Sequence, residues 1–198
     1  MKSLVLKSIL LSIMIISSIS SLAQEVELKG AMGLTFGSNK ATVKKIMASK
    51  GAILMSDKAD IIAYTDFPIG TLKAYILFCK FVNDKLYEIV ANFDPVLEAK
   101  TQERYDEICE IISSKYGKGD SRRLFTGTYT DGDGFEMQAI RLGNADIATF
   151  WVNFKNGSGI IVEIVSINDA LRVKLTYQDG VLIDDAIKRD NLKNVSDF

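Results

Sequence analysis

The chain contains no histidine, only two prolines, two cysteines and a single tryptophan among its 198 residues. Without histidine there can be no Ser-His-Asp triad, no Cys-His dyad, no HExxH zinc site and no histidine phosphotransfer. The scarcity of proline, with only 14 glycines, excludes a collagen-like chain and argues against disorder. Neither sign of charge dominates. Lys and Arg number 24 and Asp and Glu 25, for a formal net charge of −1, which speaks against nucleic-acid binding through a basic field. What is present is a globular composition, 47% hydrophobic and 25% charged, of a size suited to one domain.

Residues 1–23 read as a secretory signal. Lys2 and Lys7 supply a positive start, Ile9–Ile16 an apolar core, and Ser21-Leu22-Ala23 a small-residue cut site. The apolar core is short for a membrane span, which needs about 20 apolar residues, and Ser17, Ser18, Ser20 and Ser21 dilute its far end. Cleavage after Ala23 removes two lysines and no acid, leaving a slightly more acidic mature chain. The expected location is therefore periplasmic or secreted, with no integral membrane span after cleavage. In an oxidising compartment Cys79 and Cys109 are either one disulfide, closing a loop of about 30 residues and contributing about 3–4 kcal/mol, or two buried free thiols. A catalytic thiol is the weakest reading, since neither cysteine has a His partner or a CxxC neighbour.

Along the mature chain, Ser38 is the expected N-cap of a short helix with a Val43, Ile46, Met47 stripe and a Gly51 stop. Lys40, Lys44, Lys45 and Lys50 take its wet face and later turns. Strands follow at 61–67, 72–81 and 86–93, with turns at 66–70 and at Asn83-Asp84, and Pro95 ends the block. A second helix is expected over 97–116, with Tyr105, Ile108, Cys109, Ile112 and Tyr116 at 3.6-residue spacing. Further strands are expected at 123–128, 135–142, 147–154, 160–167 and 171–177. The last, Leu171 to Tyr177, alternates strictly and so has one buried and one wet face. Residues 181–192 close the chain as a helix. Helices and strands in blocks predict an α+β fold, with antiparallel sheet(s) and helices packed on one face. The single domain, 24–198, reads as a candidate tandem helix-plus-meander duplication, 30–95 and 96–178, in topology and not in residue-level repeats.

The stretch Gly33-Leu34-Thr35-Phe36-Gly37-Ser38, continuing to Val43-Lys44-Lys45-Ile46, resembles the opening of small exported bacterial modules. These include β-lactamase inhibitor protein-like domains and the small lipoprotein of the outer-membrane barrel-assembly machinery. Residues 151–164 and 173–179 resemble the C-terminal part of uncharacterised secreted proteins of this type. The resemblance implies a short helix packed on an antiparallel sheet and a binding or assembly role. The chain departs from the lipoprotein in having no lipidation cysteine, and from the inhibitors in having no recognisable inhibitory loop.

Asp131-Gly132-Asp133-Gly134-Phe135-Glu136 is the most suggestive polar cluster. Asp131, Asp133 and Glu136 are candidate calcium ligands, although the 12-residue EF-hand pattern is not completed; a solvated turn is the plainer reading. Asp184, Asp185 and Asp190 sit on the closing helix, where a charged wet face explains them better than acid–base chemistry. Glu163 interrupts an apolar strand at an outward-facing position of the period-two alternation. Tyr64, Tyr75, Tyr87 and Trp151 are candidate partner-binding aromatics, and the Phe150–Trp151 pair gives one ring to each sheet face. No catalytic set and no cofactor are indicated. The expected role is a non-enzymatic exported module that binds a protein partner, in the cell envelope or outside the cell, through its sheet. The alternative is a small-ligand or calcium-binding periplasmic protein. A carboxylate-based hydrolase would need two carboxylates in one pocket, about 5–9.5 Å apart.

Overall fold

The computed structural model describes residues 26–94 and 97–196; residues 1–23, read above as a secretory signal, and Pro95 lie outside them. A two-residue-per-strand hairpin, β1 (Gly30–Ala31) and β2 (Leu34–Thr35), leads into helix α1 (Lys40–Ser49). Strands β3 (Ile53–Lys58), β4 (Ile61–Ile69), β5 (Leu72–Val82) and β6 (Lys85–Phe93) form a meander. A 3₁₀ turn opens α2 (Thr101–Tyr116), followed by β7 (Asp120–Phe125) and a short α3 (Glu136–Arg141). Strands β8 (Ala145–Trp151), β9 (Gly159–Ile167) and β10 (Ala170–Gln178) then precede α4 (Leu182–Ser196).

The two meanders join into one eight-stranded antiparallel sheet of order β3-β4-β5-β6-β10-β9-β8-β7. The fold is α+β. The seam is β6 against β10, registered from Glu88↔Gln178 to Asn92↔Lys174. The first half is a helix followed by four strands, the second a helix and four strands with α3 between β7 and β8, and the last strand of each half meets the other at the centre.

One face of the sheet carries the main core. Ile62, Tyr64, Leu77, Cys79, Ile89, Ala91, Ile147, Trp151, Val162, Val173 and Leu175 from the strands pack with Val43 and Met47 of α1. Tyr105, Ile108 and Ile112 of α2 and Ala139 and Ile140 of α3 complete it. Alternation explains the strands, because successive side chains point to opposite faces. In α2, Thr101, Tyr105, Ile108 and Ile112 are buried, one stripe at helical spacing. Trp151 is held by its indole Nε1, which donates to the Gly117 carbonyl at 2.8 Å, where α2 ends. α4 packs against the β5–β6 hairpin end through a separate small cluster of Val82, Tyr87 and Ala186. Its start is capped by Asp179, whose Oδ1 accepts from the Val181 and Leu182 amides. Gly180 is needed there, since a Cβ would stand 2.1 Å from the Gly157 carbonyl carbon.

Several local expectations are corrected. Asn39, not Ser38, caps α1, its side chain accepting from the Thr42 amide at 2.8 Å. Ser38 is instead part of the link to β6, where its carbonyl accepts from Leu86 and the Leu86 carbonyl accepts from Gly37. The expected turn at 66–70 is mostly strand. β4 runs through Pro68, paired with Lys73, and kinks at Asp66 with φ 57°. The expected strand at 135–142 contains α3. Ala139 and Ile140 are adjacent and both buried, which a strand cannot do on one face, and Glu, Met, Gln, Ala and Arg favour helix. The edge strand β3 was not foreseen. The Asn83-Asp84 hairpin is as expected, with both residues at positive φ, the geometry of a two-residue turn.

Cys79 and Cys109 are both free and are not near each other, so the disulfide reading is corrected. Cys79 faces the core from β5, whereas Cys109 is on α2, which packs over β9 and β10. Burial pushes the Cys79 thiol up to about 12 and raises that of Cys109. In both, burial disfavours the thiolate, the nucleophilic form.

Replacing Leu175→Ala on the central β10 should cost about 2–5 kcal/mol, whereas Ile53→Ala on the exposed edge should cost under about 0.5 kcal/mol; urea midpoints compare the two. Asp57 of β3 accepts from Lys40 at 2.5 Å and Lys44 at 2.7 Å, and these hydrogen bonds hold its carboxyl below its ordinary 3.8. The stabilisation is therefore full above the unfolded value and lost as pH falls through the lower folded one. Asp57→Asn should lower the melting temperature at neutral pH, and the gap from the parent should close as pH drops below about 4, read by thermal scans across pH.

Candidate binding face

The other face of the sheet is populated by alternate residues of the same strands. Ile61, Ala63 and Thr65 on β4 stand opposite Lys80, Phe78 and Ile76 on β5. These in turn meet Glu88, Val90 and Asn92 on β6. Across the seam come Gln178, Thr176 and Lys174 on β10, then Ile161 and Glu163 on β9. Phe150 and Ala148 on β8 and Asp120 and Arg122 on β7 complete the row.

Two open hollows lie here. One, of about 420 Å³, is central and lined by Phe78, Lys80, Glu88, Asn92, Thr176 and Lys174, among others. The second, of about 630 Å³, is lined by Arg122, Phe150, Ile161 and Glu163 and reaches past Arg141 to the β9–β10 turn. The apolar residues Ile76, Phe78, Phe150, Ile161 and Val165 are half-buried. Ile167 and Tyr75 are exposed.

The charges of this face are paired across strands. Lys80 Nζ meets Glu88 Oε1 at 2.5 Å, and Gln178 Nε2 donates to Glu88 Oε2 at 2.5 Å. Lys174 meets Glu163 at 2.9 Å. Glu88 is itself buried, so two partners are what make its burial tolerable. Two guanidinium groups lie over rings, Arg172 over Tyr75 at 4.8 Å and Arg122 over Phe150 at 5.4 Å. The seam also holds polar atoms without a hydrogen-bond partner among the described residues: Asn92 Oδ1, Thr176 Oγ1 and the Arg172 guanidinium nitrogen NH1. Left without water, such groups cost about 1–3 kcal/mol each.

Of Tyr64, Tyr75, Tyr87 and Trp151, only Tyr75 reaches this surface, at 41% exposure. Tyr64 and Trp151 belong to the main core, and Tyr87 is buried beside Val82 and Ala186. Burial lifts the Tyr64 hydroxyl to about 12. Phe150 and Trp151 do point to opposite faces, with Phe150 on the open side. Glu163 faces outward, as its place in the alternation predicts.

The carboxylates of the Asp131 turn are spent on the turn itself. Asp131 pairs with Arg123 at 2.7 Å. Asp133 accepts from the Thr130 and Phe135 amides, and Glu136 accepts from Gly132. These hydrogen bonds hold the loop that leads into α3, and among the described residues no group of three or more His, Cys, Asp and Glu side chains is placed to hold a metal ion. Asp184 and Asp185 are exposed on the first turn of α4, and Asp190 meets its neighbour Arg189 at 3.4 Å.

Lys80, Glu88, Asn92, Arg172, Lys174, Thr176 and Gln178 were not singled out from the sequence. Their signal was a polar or charged residue at every second position of an otherwise apolar strand, complete in β10 and broken in β6 only by Val90 between Glu88 and Asn92. What that pattern withholds is which strands lie side by side. No helix among the described residues is long and apolar enough to cross a membrane. No family model, curated protein or solved structure matches the chain.

Proposed function

We propose that the protein is an exported, non-enzymatic binding module that receives a protein partner on the sheet face opposite α1 and α2. The observation that carries this reading is the face itself. Half-buried apolar side chains, aromatic rings stacked with arginine, and cross-strand ion pairs run together over two hollows. That mixture is the composition of interface centres, where Tyr, Trp and Arg supply most of the binding energy. The ion pairs favour binding over chemistry. Each central carboxylate is already engaged by a lysine, so the face offers a fixed pattern of charge to a partner. The export half of the proposal rests on the signal-like residues 1–23.

The test is cross-linking of tagged protein in its native host, followed by affinity measurements on the recovered partner. Tyr75→Ala, Arg172→Ala and Phe150→Ala should each weaken that partner by roughly thirtyfold or more, as hot-spot truncations do, with melting temperatures retained. Glu110→Ala, on the solvent side of α2, should leave it unchanged. A partner bound equally by all four variants counts against the face. The recovered protein should begin at Gln24; an intact residue 1–23 segment counts against export by cleavage.

A further inference from the structure

The sheet ends in two edges, and they differ. β3 is broken by a register shift between Leu54 and Ser56, and such bulges turn an edge away from further pairing. β7, outermost on the other side, pairs with β8 without a break from Asp120↔Phe150 to Phe125↔Ala145. It contains no proline, and Asp120, Ser121, Arg122 and Leu124 are exposed. Just past its end the Thr126 amide donates at 2.8 Å to the carbonyl of Asn144, the next pair of the same register. Opposed residues of an antiparallel ladder exchange hydrogen bonds only at alternate positions. The even-numbered residues of β7 therefore turn their amides and carbonyls to β8, and those of Ser121, Arg123 and Phe125 point away from the sheet. Among the described residues, no group hydrogen-bonds to these outward backbone atoms. Such a row is a template for a further strand.

We infer that this strand is the β7 of a second copy, joined antiparallel about a two-fold axis at Ser121. The charges of β7 select both the occupant and the register. Asp120 and Arg122 alternate on the open face of the sheet, opposite Phe150 and Ala148, and neither makes an ion pair among the described residues. Two copies of one strand pair symmetrically, so each register is centred on one residue or between two. Centres between residues oppose an outward-bonding residue to an inward-bonding one and break the ladder. Centres on Asp120, Arg122 or Arg123 put like charges face to face, which is destabilising. Centres on Leu124 or Phe125 run into the turn at Gly127, which has φ 69°. The centre on Ser121 sets Asp120 of each copy against Arg122 of the other, two ion pairs by symmetry. Arg123 then stands opposite Gly119, which has no side chain to crowd it, and exposed Leu124 stands opposite Lys118, whose stem covers it. The axis is perpendicular to the sheet. Both open faces therefore lie on one side, with Phe150 of each copy one strand in from the junction.

The experiment is analytical ultracentrifugation of the mature chain, residues 24–198, from micromolar to near-millimolar concentration. A reversible monomer–dimer equilibrium is expected, weaker at high salt. Asp120→Arg and Arg122→Asp each place like charges across the axis twice, and each should weaken the dimer by roughly tenfold or more. Asp120→Arg combined with Arg122→Asp in one chain re-forms both pairs and should restore it. The two single variants, mixed in equal amounts, should also associate, since each carries the charge that the other lacks. Lys58→Glu, on the β3 edge, should leave the dimer unchanged. Circular dichroism melts confirm that the variants fold. A monomer at every concentration, a dimer indifferent to the single reversals, or one not restored by the double reversal would overturn the inference. So would a dimer that is lost in Tyr75→Ala and survives both reversals, which would assign self-association to the open face.

Discussion

The pairing of β6 with β10 is the constraint on which the rest of the molecule depends. Each half contributes a four-stranded meander and a helix, and an isolated meander of this size would expose the apolar edge of its last strand. Joining the two last strands removes both edges at once and runs one core beneath eight strands. Ile89 and Ala91 on one side of the seam lie against Tyr177 and Leu175 on the other. That core is where α2 docks, through Tyr105, Ile108 and Ile112. The seam is also non-local, bringing residues near 90 to residues near 176, so its loop-closure cost must be met by packing and not by turn chemistry.

The same seam sets the character of the opposite face. Strand alternation that sends Ile89, Ala91 and Leu175 into the core sends Glu88, Asn92, Lys174 and Thr176 to the other side. The centre of the open face is therefore polar, with apolar and aromatic residues to either side. Ion pairs such as Lys80–Glu88 and Lys174–Glu163 keep those charges satisfied without a covering layer.

Local chemistry was readable where the cause was local. The two-residue turn at Asn83-Asp84, the α2 stripe with its Gly117 stop, and the alternation of β10 follow from backbone preferences and period, and the structure has all three. Errors arose where a distant contact outweighed a local signal. Ser38 has the chemistry of an N-cap, but its carbonyl is engaged by Leu86 and the helix starts one residue later at the cap of Asn39. Residues 135–142 look apolar enough for a strand, yet Ala139 and Ile140 pack as a helix turn against the sheet. Tyr64 and Trp151 look like interface aromatics by type. Their parity on β4 and β8 puts them inside, and parity can be read only once the buried face is known.

The sequence by itself determined the class of the protein. The blocks of helix and strand, the absence of histidine, the balanced charge and the signal-like start narrow it to an α+β module of signal-like address, without histidine chemistry. It also determined which residues alternate along each strand, because that depends on two-residue periodicity alone. Only the tertiary structure decided which alternating set faces the helices, which thiols can meet, and which side chains from separate strands assemble into one surface. Those outcomes depend on strand order and register. The energy that selects them comes from burying residues distant in sequence against one another, so no single stretch of the chain encodes it.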